Sequence, residues 1–182
     1  MKPISFPSAT IVAFLLAPAV RAQDDFPKPG PEHEKLKQMA GVWAGMIKAT
    51  FEPGKPATEG KGEYTSKLDL GGFFLLGEVK SQLPGMPFQG RALTGYDPFK
   101  KKYVSVWADS MAPSLLVMEG TMDKESKTLT LTGEGLGAGG KPTKYKSVSE
   151  VKDDDTMVFT LSSPDRDGKD QVVMTITYKR KK

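Results

Sequence analysis

The chain has no cysteine, and only one histidine, His33, among 182 residues. The first absence removes disulfides, thiol nucleophiles, thiolate metal sites and acylation through a leading Cys. The fold must therefore rest on its own core and backbone ladders. The second is nearly as restrictive. A Ser-His-Asp relay would have to use His33, and zinc would be left with carboxylates, which suit harder ions. Haem held by a strand histidine has no donor, because His33 precedes the strand-like runs and reads as a solvated helix residue. No metal site and no cofactor is expected. A long apolar run is also missing: Ile11 to Ala17 falls far short of the roughly 20 residues that span a bilayer.

Charge of one sign is not concentrated either. The net charge is +4, and Lys100-Lys101-Lys102 and Lys179 to Lys182 read as a solvated turn and a tail rather than a nucleic-acid footprint. The start of the chain reads as a secretory signal. Lys2 is its basic end, Ile11 to Ala17 its apolar stretch, and Val20-Arg21-Ala22 puts small side chains where a peptidase cuts, after Ala22. The mature protein would begin at Gln23, carry +2 and work in the periplasm or outside the cell. Residues 23–31, with three prolines, read as a linker, and 32–182 as one domain of ordinary size.

Within that domain Glu32 to Ala40 shows helical spacing, with Leu36, Met39 and Ala40 on one face and acids at its start. Gly41 stops this short lid or plug helix. From there the period changes to 2. Trp43, Gly45, Ile47, Ala49 and Phe51 share a face in the first run, and Tyr64, Ser66, Leu68 and Leu70 in the second. About ten such runs follow one another, with turn signals every 8 to 14 residues. Short sequential connections favour antiparallel neighbours. The fold class is thus all-β, a single antiparallel meander whose edges are best removed by closure into a barrel; a two-sheet sandwich is the alternative.

The chemistry-bearing residues are sparse. Asp165 to Asp170 has the wrong glycine position and no closing Glu for a calcium loop, and reads as an Asp-Gly hairpin turn. Gly133 to Gly140 follows a strand but precedes Pro142 and another strand, so it lacks the helix a dinucleotide fingerprint requires; it reads as a flexible rim loop. The richest constellation is Arg91, Tyr96, Trp107, Asp109 and Glu119, on runs four to six. Tyr103, Ser105, Trp107 and Asp109 form one face of run five, and Val104, Val106 and Ala108 the other. Apolar-inward patterning would send Trp107 outside, whereas a ligand cavity favours an aromatic face with a few polar groups. A cross-strand ladder with ordinary ion pairs is the plain alternative. Nine methionines, Met118 and Met122 among them on one face, read as adaptable core filler.

Gly41-Val42-Trp43 after a short helix, with Lys179 or Arg180 on the last strand, resembles the signature of the calycin superfamily, the lipocalins and their relatives. That resemblance implies that a basic side chain from the last strand covers the first-strand Trp. Leu70 to Leu75, Phe88-Gln89-Gly90, Thr94 to Asp97, Lys102-Tyr103-Val104, Trp107 to Met111, Glu119-Gly120 and Thr177 to Arg180 resemble a bacterial domain-of-unknown-function family catalogued under number 1579. The resemblance spans nearly the whole mature chain and implies a lipocalin-like barrel in exported or envelope proteins, with no established activity. Phe73 stands where that family often has a polar residue.

The expected function is binding of a small, mainly apolar molecule inside the barrel, which has room for one. Tyr64, Phe74, Trp107 and Met118 would supply contact, and Arg91, Asp109 and Glu119 polar orientation. Trp43, with Lys179 or Arg180, would seal the closed end. No catalytic residue is assigned. The alternatives are an envelope interaction module with a filled barrel, docking through Met86, Pro87, Met111, Ala112 and Pro113, and a hydrolase or isomerase using Asp109 and Glu119.

Overall fold

A computed structural model describes residues 27–182 except 51–55, 84–85, 138–139 and 166. The expected signal segment, residues 23–26 of the expected linker and Phe51 lie outside the described residues. Ten antiparallel strands close into one barrel: β1 (Gly41–Ala49), β2 (Thr58–Asp69), β3 (Phe74–Leu83), β4 (Met86–Asp97), β5 (Lys102–Asp109), β6 (Leu116–Met122), β7 (Thr128–Leu136), β8 (Pro142–Asp153), β9 (Thr156–Pro164) and β10 (Asp170–Arg180). Each strand pairs with its neighbours in sequence, and β10 returns to β1. Closure rather than a sandwich leaves no unpaired edge among the described strands.

The N-terminal segment is tighter than its spacing suggests. Only Pro31–Glu34 is α-helical (α1), and Lys35–Met39 continues as a 3-10 turn. Pro31 starts the helix instead of ending the linker, because a first helical position needs no N–H. Leu36 and Met39 are buried, and plug the end of the barrel where β1 begins. His33 is not solvated as expected. Its Nδ1 accepts the Gly30 N–H at 3.0 Å, and its ring meets Phe73 and Tyr96 edge-on at 5.3 and 6.0 Å.

Trp43 and Arg180 are register partners on β1 and β10. Trp43 is 0% exposed and donates its indole N–H to the Met39 carbonyl at 3.1 Å. The Arg180 guanidinium carbon lies 3.9 Å from the Trp43 ring centroid, a cation–π contact. Its nitrogens also donate to the carbonyls of Ala40 (2.7 Å), Gln38 (3.0 Å) and Asp154 (2.6 Å). Alternation explains why Arg180, and not Lys179, takes this place: Arg180 shares the inward face of Ile176 and Tyr178, while Lys179 points outward and donates to Thr156 Oγ1 at 2.7 Å. Gly41 adopts φ +139°, and a side chain there would collide with the Arg180 guanidinium.

Two strand readings shift, and β10 carries a bulge. Leu70 leaves β2 at φ 50° and starts a 3-10 turn, Leu70–Gly72, with its side chain exposed. Gly133 and Gly135 belong to β7, so the expected Gly133–Gly140 loop shrinks to 137–141. In β10 the register slips between Val172 and Met174. This bulge turns Val172 outward, while Met174, Ile176 and Tyr178 stay inside.

The outside of β3–β6 carries aliphatic residues. Leu76 faces Leu93, Leu93 faces Val106, and Val106 faces Val117 across successive strand pairs. The other face of β5 is therefore the inward one.

Candidate functional site

Between the plug and the opposite end, the barrel encloses a cavity of about 350 Å³. Strand alternation supplies its wall. On β5 the inward positions include Ser105, Trp107 and Asp109; on β4, Phe88, Ala92 and Thr94; on β8, Tyr145, Ser147 and Ser149. Met39 of the plug forms part of its lining at the closed end. The mouth lies where Ala49, Leu83, Asp109, Leu136 and Pro164 end their strands.

Trp107 is the ring most firmly placed at that mouth. Its N–H donates to Asp109 Oδ2 at 2.7 Å, and the ring stacks on Phe88 with centroids 6.4 Å apart and planes 22° from parallel. On β4, Gly90 lies in register with Asp109, and a Cβ there would overlap the outer edge of the Trp107 ring. Two other inward glycines do the same service. A Cβ at Gly77 would sit 2.6 Å from the Tyr64 ring, and one at Gly45 would sit 2.9 Å from Tyr178. Three aromatic rings thus pack closely against bare backbone, in space that a side chain would otherwise take.

Asp109 holds the mouth loop as well as the indole. Its Oδ1 accepts the Met111 and Ala112 N–H groups at 2.8 and 3.1 Å. Ser110 ties the same loop to Gln89 of β4 through its N–H (2.9 Å) and its hydroxyl (3.1 Å). Met111, Ala112 and Ser114 of this loop then line the cavity. Deeper inside, the Thr94 and Ser105 hydroxyls bond each other at 2.8 Å across β4 and β5.

Burial and neighbouring charge fix the protonation of the tyrosines. Burial pushes the Tyr64 phenol up, partly offset by Ser66. Burial and then the nearby Tyr64 push Tyr178 up. Tyr145 rises through burial and then the charge of Asp109, and its hydroxyl meets the Leu136 carbonyl at 3.1 Å. All three are neutral hydroxyls at physiological pH.

The structure gathers four of the seven expected contact residues, Tyr64, Trp107, Asp109 and Met118, on the cavity wall. It leaves three elsewhere. Phe74 faces outward and covers its register partner Gly95. Arg91 also faces outward, 79% exposed, 3.3 Å from Glu78. Glu119 lies on the outer face with Lys102 and Lys100 at 2.7 and 3.1 Å; hydrogen bonds from Lys102 and then Lys100 hold its carboxyl below the usual value. The reason is parity: each is an odd number of residues from an inward neighbour on its own strand, Leu75, Ala92 and Met118 respectively. Asp109 and Glu119 therefore stand on opposite faces of the wall, and the two-carboxylate hydrolase or isomerase fails.

Several wall residues were not picked out from the sequence, notably Phe88, Tyr145, Phe159 and Tyr178. Tyr145-Lys146-Ser147-Val148-Ser149 carries the alternation that would have found one of them. Its inward face is polar enough to read as a solvated one. Among the described residues no group of three or more His, Cys, Asp or Glu side chains is placed to hold a metal ion. No helix among them is long and apolar enough to cross a membrane.

A family model described as "Protein of unknown function (DUF1579)" matches residues 28–180. No curated protein matches the chain. Among solved structures, the fold is similar to that of Rv2717c from M. tuberculosis, with a TM-score of 0.64 at 17% identity over 84% of this chain and 99% of that one. A de novo designed fluorescence-activating beta barrel aligns with a TM-score of 0.44 at 13% identity, over 81% of this chain and 98% of that one.

Proposed function

Because the chain belongs to the DUF1579 family, whose description names no activity, we propose a function from its own interior: it is a carrier or sensor that binds one small, mainly apolar molecule inside the barrel. The observation that carries this reading is the cavity of about 350 Å³, a size within the usual range for small-molecule sites. Its wall combines aromatic rings (Trp107, Phe88, Tyr64), methionines (Met118, Met174) and scattered hydroxyls. Methionine adapts to the shape of an apolar guest, and flat rings give contact area at low entropic cost.

The filled-barrel alternative requires a packed interior, which the cavity argues against. Trp43 and Arg180 belong to the closed end and hold the plug, away from the guest. The reading extends to location: residues 1–22 favour a protein that works after export, where a barrel without cysteine is indifferent to an oxidising environment.

The test is a thermal-shift screen of the purified protein against lipids, pigments and small aromatic compounds, followed by titration of Trp107 emission. A bound guest raises Tm with its concentration and perturbs emission in wild type but not in Trp107→Phe. If no compound of any class raises Tm, and an experimental structure has the interior filled by its own side chains, the proposal is wrong.

A further inference from the structure

Resting on that binding reading, we infer that the guest is electrically neutral: the cavity takes an uncharged apolar molecule with a hydroxyl, ester or carbonyl group and rejects the corresponding carboxylate and ammonium.

Among the described residues no lysine, arginine or histidine lines the cavity, and Asp109 is its one ionised side chain. Four basic residues are engaged elsewhere. Lys100 and Lys102 pair with Glu119 outside, Arg91 pairs with Glu78, and Arg180 is locked over Trp43. An anionic headgroup entering the barrel would lose its hydration and find no cation on that wall. Uncompensated burial of a carboxylate is among the costliest events in a protein interior. Here it would also approach Asp109, a like charge at the mouth.

A cation is disfavoured for a different reason. Asp109 already accepts three N–H groups, from Trp107, Met111 and Ala112. Its carboxylate oxygens offer about four acceptor positions, so an ammonium would find at most one. Taking more would release the indole or the mouth loop.

Neutral polar groups do find partners. Ser147 and Ser149 on β8 and Ser81 on β3 line the cavity, and their hydroxyls make no hydrogen bond to any described residue. No buried side-chain polar atom of the described residues is left without a partner, so these hydroxyls are open to the cavity. A hydroxyl both donates and accepts, and so serves an alcohol, an ester or a ketone equally. Tyr178 adds a phenol of the same kind.

The experiment is a matched series on one scaffold: decanol, methyl decanoate, decanoate and decyltrimethylammonium, with naphthol, methyl naphthoate and naphthoate as an aromatic set. Binding is read by Trp107 emission and calorimetry at pH 7.5, below the micellar range. The neutral members should bind at least about tenfold tighter than either charged one. Decanoate should gain affinity as pH falls through its own pKa. A carboxylate or an ammonium within about tenfold of the alcohol overturns the inference while leaving the binding reading intact. If no member of either set binds, the guest class named here is wrong, while the binding reading is decided by the wider screen and by whether the interior is filled. In Asp109→Asn, checked for native fold by circular dichroism, decanoate should gain affinity relative to decanol; an unchanged ratio overturns the role given to Asp109.

Discussion

Gly90→Ala adds a single methyl group, yet should change both the stability and the optics of the mouth. The new Cβ would overlap the Cζ2–Cη2 edge of Trp107. Backbone hydrogen bonds to β3 and β5 hold that position in the middle of β4, so the ring must give way. It has little freedom to do so, being stacked on Phe88 and bonded to Asp109. Overpacking of this kind costs about 1–3 kcal/mol. Severing the indole bond to a carboxylate adds about 1.5–3 kcal/mol, less whatever water restores at the mouth. The net expectation is a loss of about 2–4 kcal/mol, or a Tm lower by roughly 4–16 °C for a domain of this size. Trp43 is a buried internal reference, so the emission change can be isolated in a Trp43→Phe background. Trp107 emission should shift to the red as the ring is pushed from Phe88 and Asp109, and the affinity for any interior guest should fall. If Gly90→Ala keeps wild-type Tm, emission and binding, the close seating of Trp107 on bare backbone is not what shapes the cavity.

Other outcomes follow from the same geometry. Trp43→Ala should cost about 3–5 kcal/mol in urea unfolding, as for a buried aromatic, without altering the affinity of a guest in the folded fraction; loss of binding with normal stability would reverse the division between sealed end and mouth. Arg180→Lys keeps the charge but not the fork that reaches three carbonyls, so it should destabilise almost as much as Arg180→Ala, whereas Lys179→Ala should change little. Glu32 is held below its ordinary pKa of 4.5 by a hydrogen bond from Lys35 and then one from Tyr103. A depressed carboxyl stabilises the fold above its unfolded pKa and loses that contribution as pH falls through the lowered value. Acid titration of stability should therefore be shallower below about pH 4.5 in Glu32→Gln, and an identical acid limb would rule out the plug contact as a source of pH dependence. If the proposed export holds, mass spectrometry of the protein recovered from its native cells should find Gln23 at its N-terminus; a chain retaining residues 1–22 would remove the basis for proposing it.

The number and order of strands were legible because alternation and turn residues are local. The Trp43–Arg180 contact was legible, to within one residue, because the first and last strands each carry a distinctive end. The direction of β5 was not. Val104 and Val106 look like core, but they join Leu76, Leu93 and Val117 on the outer surface. A cavity inverts the usual pattern: the wall it needs contains Ser, Tyr and Asp, the residue types that elsewhere face solvent. Phe74, Arg91 and Glu119 were misplaced for that reason, since resemblance and proximity group residues by strand and not by face. Val172 keeps the spacing of Met174, Ile176 and Tyr178 yet turns outward, because a bulge leaves no mark in a strictly alternating sequence.

The pairing of β1 with β10 has a consequence for how the molecule comes into being. Its register joins Trp43 to Arg180, residues from opposite ends of the domain. Every other strand can zip onto the one before it as the chain emerges. The barrel cannot shut until the last strand arrives, and meanwhile β1 presents an open edge with its tryptophan uncovered. Contacts of such sequence separation are the slowest to form. A chain held extended until synthesis or passage is complete, and then released at once, would meet its own first strand before it met a stranger's.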